Sequence, residues 1–189
     1  MESEDLIDEL NPVLLKGEID ECIKRASEKL RELPENPFSE VLNLEFTNDL
    51  KEVANCFEQV IRNADNKVDI NVLYTETNGF DINPDVWYFD IFGYVQHGGL
   101  DDLDWLADWQ VESSGGFVLT GMESLQSVYS SDAFGKAEYE IACEYASLLV
   151  VLKFQKLIQK SLQAIGGLSI NVLATSHDYD FIYEHVSSD

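Results

Sequence analysis

Two short runs in this chain gather side chains able to bind or catalyse. The first is Asp101-Asp102-Leu103-Asp104-Trp105-Leu106-Ala107-Asp108-Trp109, preceded by Gly98-Gly99. Wound as a helix, it sets Asp101, Asp104, Asp108 and Trp105 on neighbouring surfaces and turns Leu103 and Leu106 inward. Acids in a first turn suit the positive end of a helix dipole, so the plain reading is a well-capped helix with tryptophan anchored in the core. The functional reading is a protein-binding patch made of Asp101, Asp102, Asp104, Trp105, Asp108 and Trp109, because exposed tryptophan is typical of interface anchors. The carboxylates could also hold Mg²⁺ or Ca²⁺, but the run has no loop of recognised ligand spacing.

The second run is His177-Asp178-Tyr179-Asp180, with His185 following. Imidazole and carboxylate at a strand end could ligate a metal or form a base and its orienting partner. His177, Asp178 and Asp180 are therefore the metal candidates, and the alternative function is a metal-assisted hydrolase using either these groups or the Asp101–Asp108 carboxylates. Against it, no motif ties a Ser or Cys nucleophile to the run, and Asp178 and Asp180 are ordinary turn residues. His97, before Gly98-Gly99, reads as a loop residue. Phosphate-loop, dinucleotide, zinc-protease, nucleophile-elbow and calcium-loop motifs are all missing. Gly115-Gly116 has no base beside it to help cradle a phosphate. The three cysteines and three histidines are scattered singly, which does not suit zinc. No catalytic residue and no cofactor are expected.

Charge narrows the classes further. The 189 residues carry 36 acids and 12 bases, a net charge of -24, with 45% hydrophobic residues. That composition builds a real core and argues against disorder. It argues equally against unaided binding to nucleic acid or anionic lipid. The longest apolar run, Leu148–Leu152, is far short of the ~18 residues of a membrane span. An acid-rich start without a base speaks against a secretory or transit leader. Cys22, Cys56 and Cys143, odd in number and far apart, read as reduced thiols in a cytoplasmic compartment. The acid is also uneven: from Val68 to Gly135 there are 12 acids and no Lys or Arg. Folded surfaces ordinarily mix both signs, so this stretch gives up stability through self-repulsion. Solubility is one reason for it; attraction of a basic partner is the other.

The elements that must position these groups follow from periodicity. Ile19, Cys22, Ile23, Ala26, Leu30 and Leu33 predict a helix over 18–33, stopped by Pro34. Residues 41–46 alternate and predict a strand. Residues 49–63 predict a second amphipathic helix with Asp49 and Glu52 as a capping box. Residues 68–74, with Val68, Ile70, Val72 and Tyr74 on one face, and 86–95 predict two strands joined through the turn signals Asn78-Gly79 and Asn83-Pro84. A short helix follows over 100–110, then a strand at 117–119 and a helix from a Thr120–Glu123 capping box to about residue 130. The longest helix spans 136–164, apolar nearly all round at its centre and stopped by Gly166-Gly167, which marks it as buried. Strands at 168–174 and 179–185 close the chain.

Strands paired in sequence point to an α+β fold: a mixed or antiparallel sheet packed against a long buried C-terminal helix and further amphipathic helices. One globular domain over 1–189 is expected, with residues 1–15 a loosely packed segment. The function that fits best is a non-enzymatic acidic module of immunity or inhibitor type. It would neutralise a basic protein such as a toxin or nuclease, without nucleic acid or membrane.

Overall fold

The computed structural model describes residues 2–64, 68–79 and 83–187. It is an α+β fold in which six strands form a mixed sheet and a long C-terminal helix lies against it. The helices are α1 (Glu2–Leu14), α2 (Ile19–Glu32), α3 (Leu50–Ala64), α4 (Glu123–Tyr129) and α5 (Glu140–Ala164). The strands are β1 (Val72–Thr77), β2 (Tyr88–Tyr94), β3 (Val111–Glu112), β4 (Phe117–Val118), β5 (Asn171–Ser176) and β6 (Tyr183–His185). Their order is β3-β2-β1-β5-β6, with β4 also on β2. β1 and β5 run parallel, because the chain crosses over through α5 between them, and the remaining pairs are antiparallel.

Alternation along the strands divides the sheet. Leu73, Phe89, Ile91, Val172 and Ala174 face the helices and join one continuous core. Helix α5 is buried on nearly every side from Tyr145 to Gln155, since it lies between the sheet and α2 and α3. Gln155, fully buried, donates from Nε2 to the carbonyls of Ala174 at 3.1 Å and Phe181 at 2.7 Å, tying α5 to the β5–β6 hairpin. At its C-terminus Gly166 takes φ +84°, the left-handed geometry that ends a helix, and the Gly167 N–H returns to the Leu162 carbonyl. In α1, Leu6, Leu10 and Leu14 recur at i, i+4, i+8 and are all buried.

Four local expectations give way to better-satisfied alternatives. Residues 37–43 form a 3-10 turn rather than a strand, because Pro37 presets the turn and the Asn36 Oδ1 accepts the Ser39 N–H at 3.0 Å. Phe38 and Val41, three apart, are its buried side. Val68 and Ile70 pack with the main core, whereas Val72 and Tyr74 face the opposite side, since β1 begins only at Val72. Asp49 does cap α3, its Oδ1 accepting the N–H groups of Lys51 and Glu52 at 2.9 and 3.0 Å. Thr120 caps nothing; its hydroxyl meets that of Thr47 at 3.1 Å, and α4 starts at Glu123. The Glu123 carboxylate accepts the Gly121 N–H instead, which lowers its pKa. The fourth, the helix over 100–110, lies at the candidate site. The β1–β2 loop closes as the turn signals suggest, Asn78 bonding Val86 and Tyr88, while residues 80–82 of that loop lie outside the described residues.

Candidate functional site

The sheet's second face is where the acidic segment comes to rest. Val72 and Tyr74 of β1, Tyr94 of β2, Leu173 of β5 and Ile182 form a smaller apolar cluster there. Residues 97–109 cover part of it, laying Leu100, Leu103, Trp105 and Leu106 against the cluster. The covering segment is a strap, with only the 3-10 turn Asp104–Ala107 in place of the expected helix. Local bonds win over helical ones here: the Asp102 Oδ1 accepts the Asp104 N–H at 3.0 Å, and the Trp105 indole donates to the Gly99 carbonyl at 2.9 Å. Trp105 stands edge-on to Tyr94, centroids 4.9 Å apart, and lies beside His97 at 5.3 Å. Gly98 passes directly under the indole, where a Cβ would overlap the ring. The Tyr94 hydroxyl donates to the Leu106 carbonyl at 2.8 Å, fastening the strap to the sheet.

The six residues expected to form one binding patch therefore divide. Asp101, Asp102, Asp104 and Asp108 are exposed on the strap. Trp105 is half-buried and spent on intramolecular packing. Trp109 remains 45% exposed, its ring 5.3 Å from Phe92. Phe92 in turn lies 6.2 Å from Tyr74 across the strands. The half of the sheet that the strap leaves open thus presents Phe92 and Trp109, with the buried ring of Tyr74 beneath them.

Beside these rings the register places Glu76 of β1 directly opposite Asp90 of β2. Two carboxylates facing each other across an antiparallel pair repel, and ordinary sheets avoid the arrangement. Glu76 Oε2 accepts the Tyr74 hydroxyl at 2.7 Å, and Asp90 Oδ1 accepts the Ser113 hydroxyl at 3.2 Å. Burial and the neighbouring Glu76 charge push the Tyr74 phenol far above its usual range, and Tyr94 shifts the same way. Both tyrosines are accordingly hydrogen-bond donors here rather than bases. This carboxylate pair escaped sequence reading, because nothing in the spacing of Glu76 and Asp90 shows that they are cross-strand neighbours. The polar Asp90 within an otherwise apolar run was the one available signal.

The second run meets the same edge. His177 follows β5, its Nδ1 3.4 Å from Glu76 Oε1 and its Nε2 3.7 Å from Asp178 Oδ1. The turn is held by its own bonds: the Thr175 hydroxyl lies 3.0 Å from the carbonyls of both Tyr179 and Phe181, and Asp178 takes the left-handed φ of 65° common for Asp. Asp180 is exposed, and its charge reaches Tyr74. Among the described residues no three His, Cys, Asp or Glu side chains converge on a point that could hold a metal ion. His185 stands apart on the helical side, where burial lowers its pKa. His97, read as a loop residue, bridges the strap to β6, its Nε2 3.2 Å from Glu184 Oε1. Cys22, Cys56 and Cys143 are free thiols. No helix among the described residues is long and apolar enough to cross a membrane. Comparison with protein-family models, with curated proteins and with solved structures gives no match.

Proposed function

We propose that this chain is a non-enzymatic module of inhibitor or immunity type, acting in the cytoplasm, that binds a basic protein through the open half of its second sheet face. The observation carrying this reading is the Glu76–Asp90 carboxylate pair set beside the accessible rings of Phe92 and Trp109. An arginine or lysine side chain entering there finds two anionic acceptors and aromatic faces at once, the combination that holds guanidinium and ammonium groups. It would also relieve the repulsion that the pair imposes on the free protein. Asp101, Asp102, Asp104 and Asp108 on the strap, with Asp178 and Asp180 in the turn after β5, supply the longer-range field that speeds encounter. Trp109 is the anchor in this reading, while Trp105 positions the strap.

The wild-type chain and a Glu76→Gln/Trp109→Ala variant, used in parallel as baits, test it. A basic protein should be retained by the wild type at low salt and released as salt rises, with the variant retaining little. Association rates should fall with ionic strength, and Asp104→Asn or Asp108→Asn should slow association more than it speeds dissociation. A partner retained equally by both baits, or an association rate indifferent to salt, would rule the open face out as the binding determinant.

A further inference from the structure

The helical layer, on the other side of the sheet, carries a short basic stripe. Lys153, Lys156 and Lys160 follow one another along α5 at i, i+3 and i+7 and so share a stripe of the helix. They line a cleft of about 390 Å³ whose facing wall is the segment leading into α3, with Phe46, Asn48 and Leu50 and one carboxylate, Glu45. A quarter of the chain's 12 basic residues therefore meet in one concavity, in a protein that carries 36 acids.

The wall is rigid before any ligand arrives. The Thr47 N–H donates to the Thr120 carbonyl at 2.9 Å. The Asn48 side chain donates to the Val118 carbonyl at 2.8 Å and accepts the Thr120 N–H at 3.0 Å. A preformed cleft costs little ordering entropy on binding. The ammonium groups are incompletely neutralised. Lys153, 4% exposed, donates to the Leu44 carbonyl and lies 3.3 Å from Glu45 Oε1. Lys156 reaches Asp20 at 2.7 Å, yet Asp20 is itself 80% exposed and so well hydrated. Lys160 has no ion-pair partner among the described residues. Burial lowers the Lys153 pKa, a cost that an anion in the cleft would offset.

We propose that this cleft binds a small phosphorylated ligand, with the phosphates on Lys156 and Lys160 and Lys153 beneath them. Lysine is a point-charge binder of phosphate oxygens, and three ammoniums spread over ~10 Å of helix match more than one anionic group. Phe46, Leu50 and Leu157 give an organic portion apolar surface to rest on. The ligand has to be compact: an extended polyanion such as a nucleic acid would run out of the cleft to within a Debye length (~8–10 Å) of acidic surface, which repels it. This site stands independently of the acidic face.

Titration calorimetry at constant ionic strength, with inorganic pyrophosphate and with citrate as probes, tests it on the intact chain. Pyrophosphate should bind, and more tightly than citrate. Lys160→Ala and Lys156→Ala should each weaken pyrophosphate roughly tenfold, while Lys136→Ala, outside the cleft, changes nothing. Lys160 is exposed, and Lys156, 19% exposed, ends in an ion pair with the solvated Asp20, so the fold should survive both substitutions, and unchanged circular dichroism checks this. No binding of either probe overturns the site. Equal binding of citrate overturns the phosphate assignment. Full affinity in the Lys156→Ala/Lys160→Ala double variant overturns the role of the cleft.

Discussion

Asp90→Asn should make this protein more stable, an unusual expectation for a residue in the sheet. Glu76 and Asp90 are direct cross-strand partners on the open face. Such partners have Cβ atoms about 5 Å apart, so their carboxylates lie at about 6 Å. Two like charges at that distance repel by ~0.7 kcal/mol in water and ~3 kcal/mol at an effective dielectric of about 20. The Glu76 side chain is 25% exposed, and the Tyr74 hydroxyl and His177 spread part of its charge, which argues for the low end. The gain should be ~0.5–1 kcal/mol, within the range measured for cross-strand charge pairs. The amide oxygen of asparagine keeps the bond from the Ser113 hydroxyl, so little is lost on the other side. For a chain of this length that corresponds to a melting midpoint higher by ~1–4 °C at low salt. Raising ionic strength to about 1 M, where the Debye length is ~3 Å, should stabilise the wild type and erase most of its difference from the variant. Thermal and urea unfolding at both ionic strengths measure this. A destabilised variant, or a gain unmoved by salt, would show that the two carboxylates do not repel as the register implies. Because the same substitution removes half of the proposed cation receptor, it should weaken binding of a basic partner while raising stability.

The core, thiols and buried imidazole make separate predictions. Leu149 is fully buried in α5, so Leu149→Asp should cost several kcal/mol of a typical ~5–15 and lower the melting midpoint sharply. An unchanged melting curve would place α5 outside the core. Burial raises the thiols of Cys22 and Cys56 to about 11, so at about pH 8 their alkylation should run roughly a hundredfold slower than that of a free thiol. Mass spectrometry after timed iodoacetamide exposure reads this, and rapid labelling of the native protein would contradict it. Burial holds the His185 pKa below its ordinary 6.5, so the unfolded chain takes up that proton first as pH falls, and stability is lost below about 6.5. His185→Gln should remove that component, narrowing its stability gap to the wild type between about pH 7.5 and 5.5; a constant gap would refute the assignment.

Much of the architecture was legible because burial dictates it. Helices α2 and α3 follow apolar periodicities that survive in the structure nearly residue for residue, and in the long α5 the all-round apolar run Leu148–Leu152 is as buried as its composition demands. Failures cluster where short polar side chains choose among local partners. Residues 42, 44 and 46 alternate like a strand, yet Asn36 and Pro37 wind 37–43 into a 3-10 turn, and among the described residues no strand pairs with the extended stretch after it. Thr120 has the spacing of a cap but spends its hydroxyl on Thr47, a residue 73 positions away. The strap replaces a helix because Asp102 and Trp105 satisfy backbone groups that a helix would otherwise have paired.

The site was legible in composition and illegible in geometry, for the same physical reason. A stretch of 12 acids without one base announces a one-signed surface, but only strand pairing decides which acids stand together. Glu76 lies outside the run that drew attention, and Asp90 sits alone among apolar neighbours; the β1–β2 register makes them a pair. Conversely, Trp105 lies in the richest motif of the chain and yet is turned inward by the Gly98 approach and its bond to Gly99, leaving Trp109 as the ring that faces solvent. A like-charge pair on a sheet face lowers stability unless something cationic completes it. The free protein holds only His177 near Glu76 and no lysine or arginine ion-paired to either carboxylate among the described residues. The repulsion is therefore a property of the unbound state, and a guanidinium or ammonium supplied by a partner is the group whose arrival would turn it into attraction.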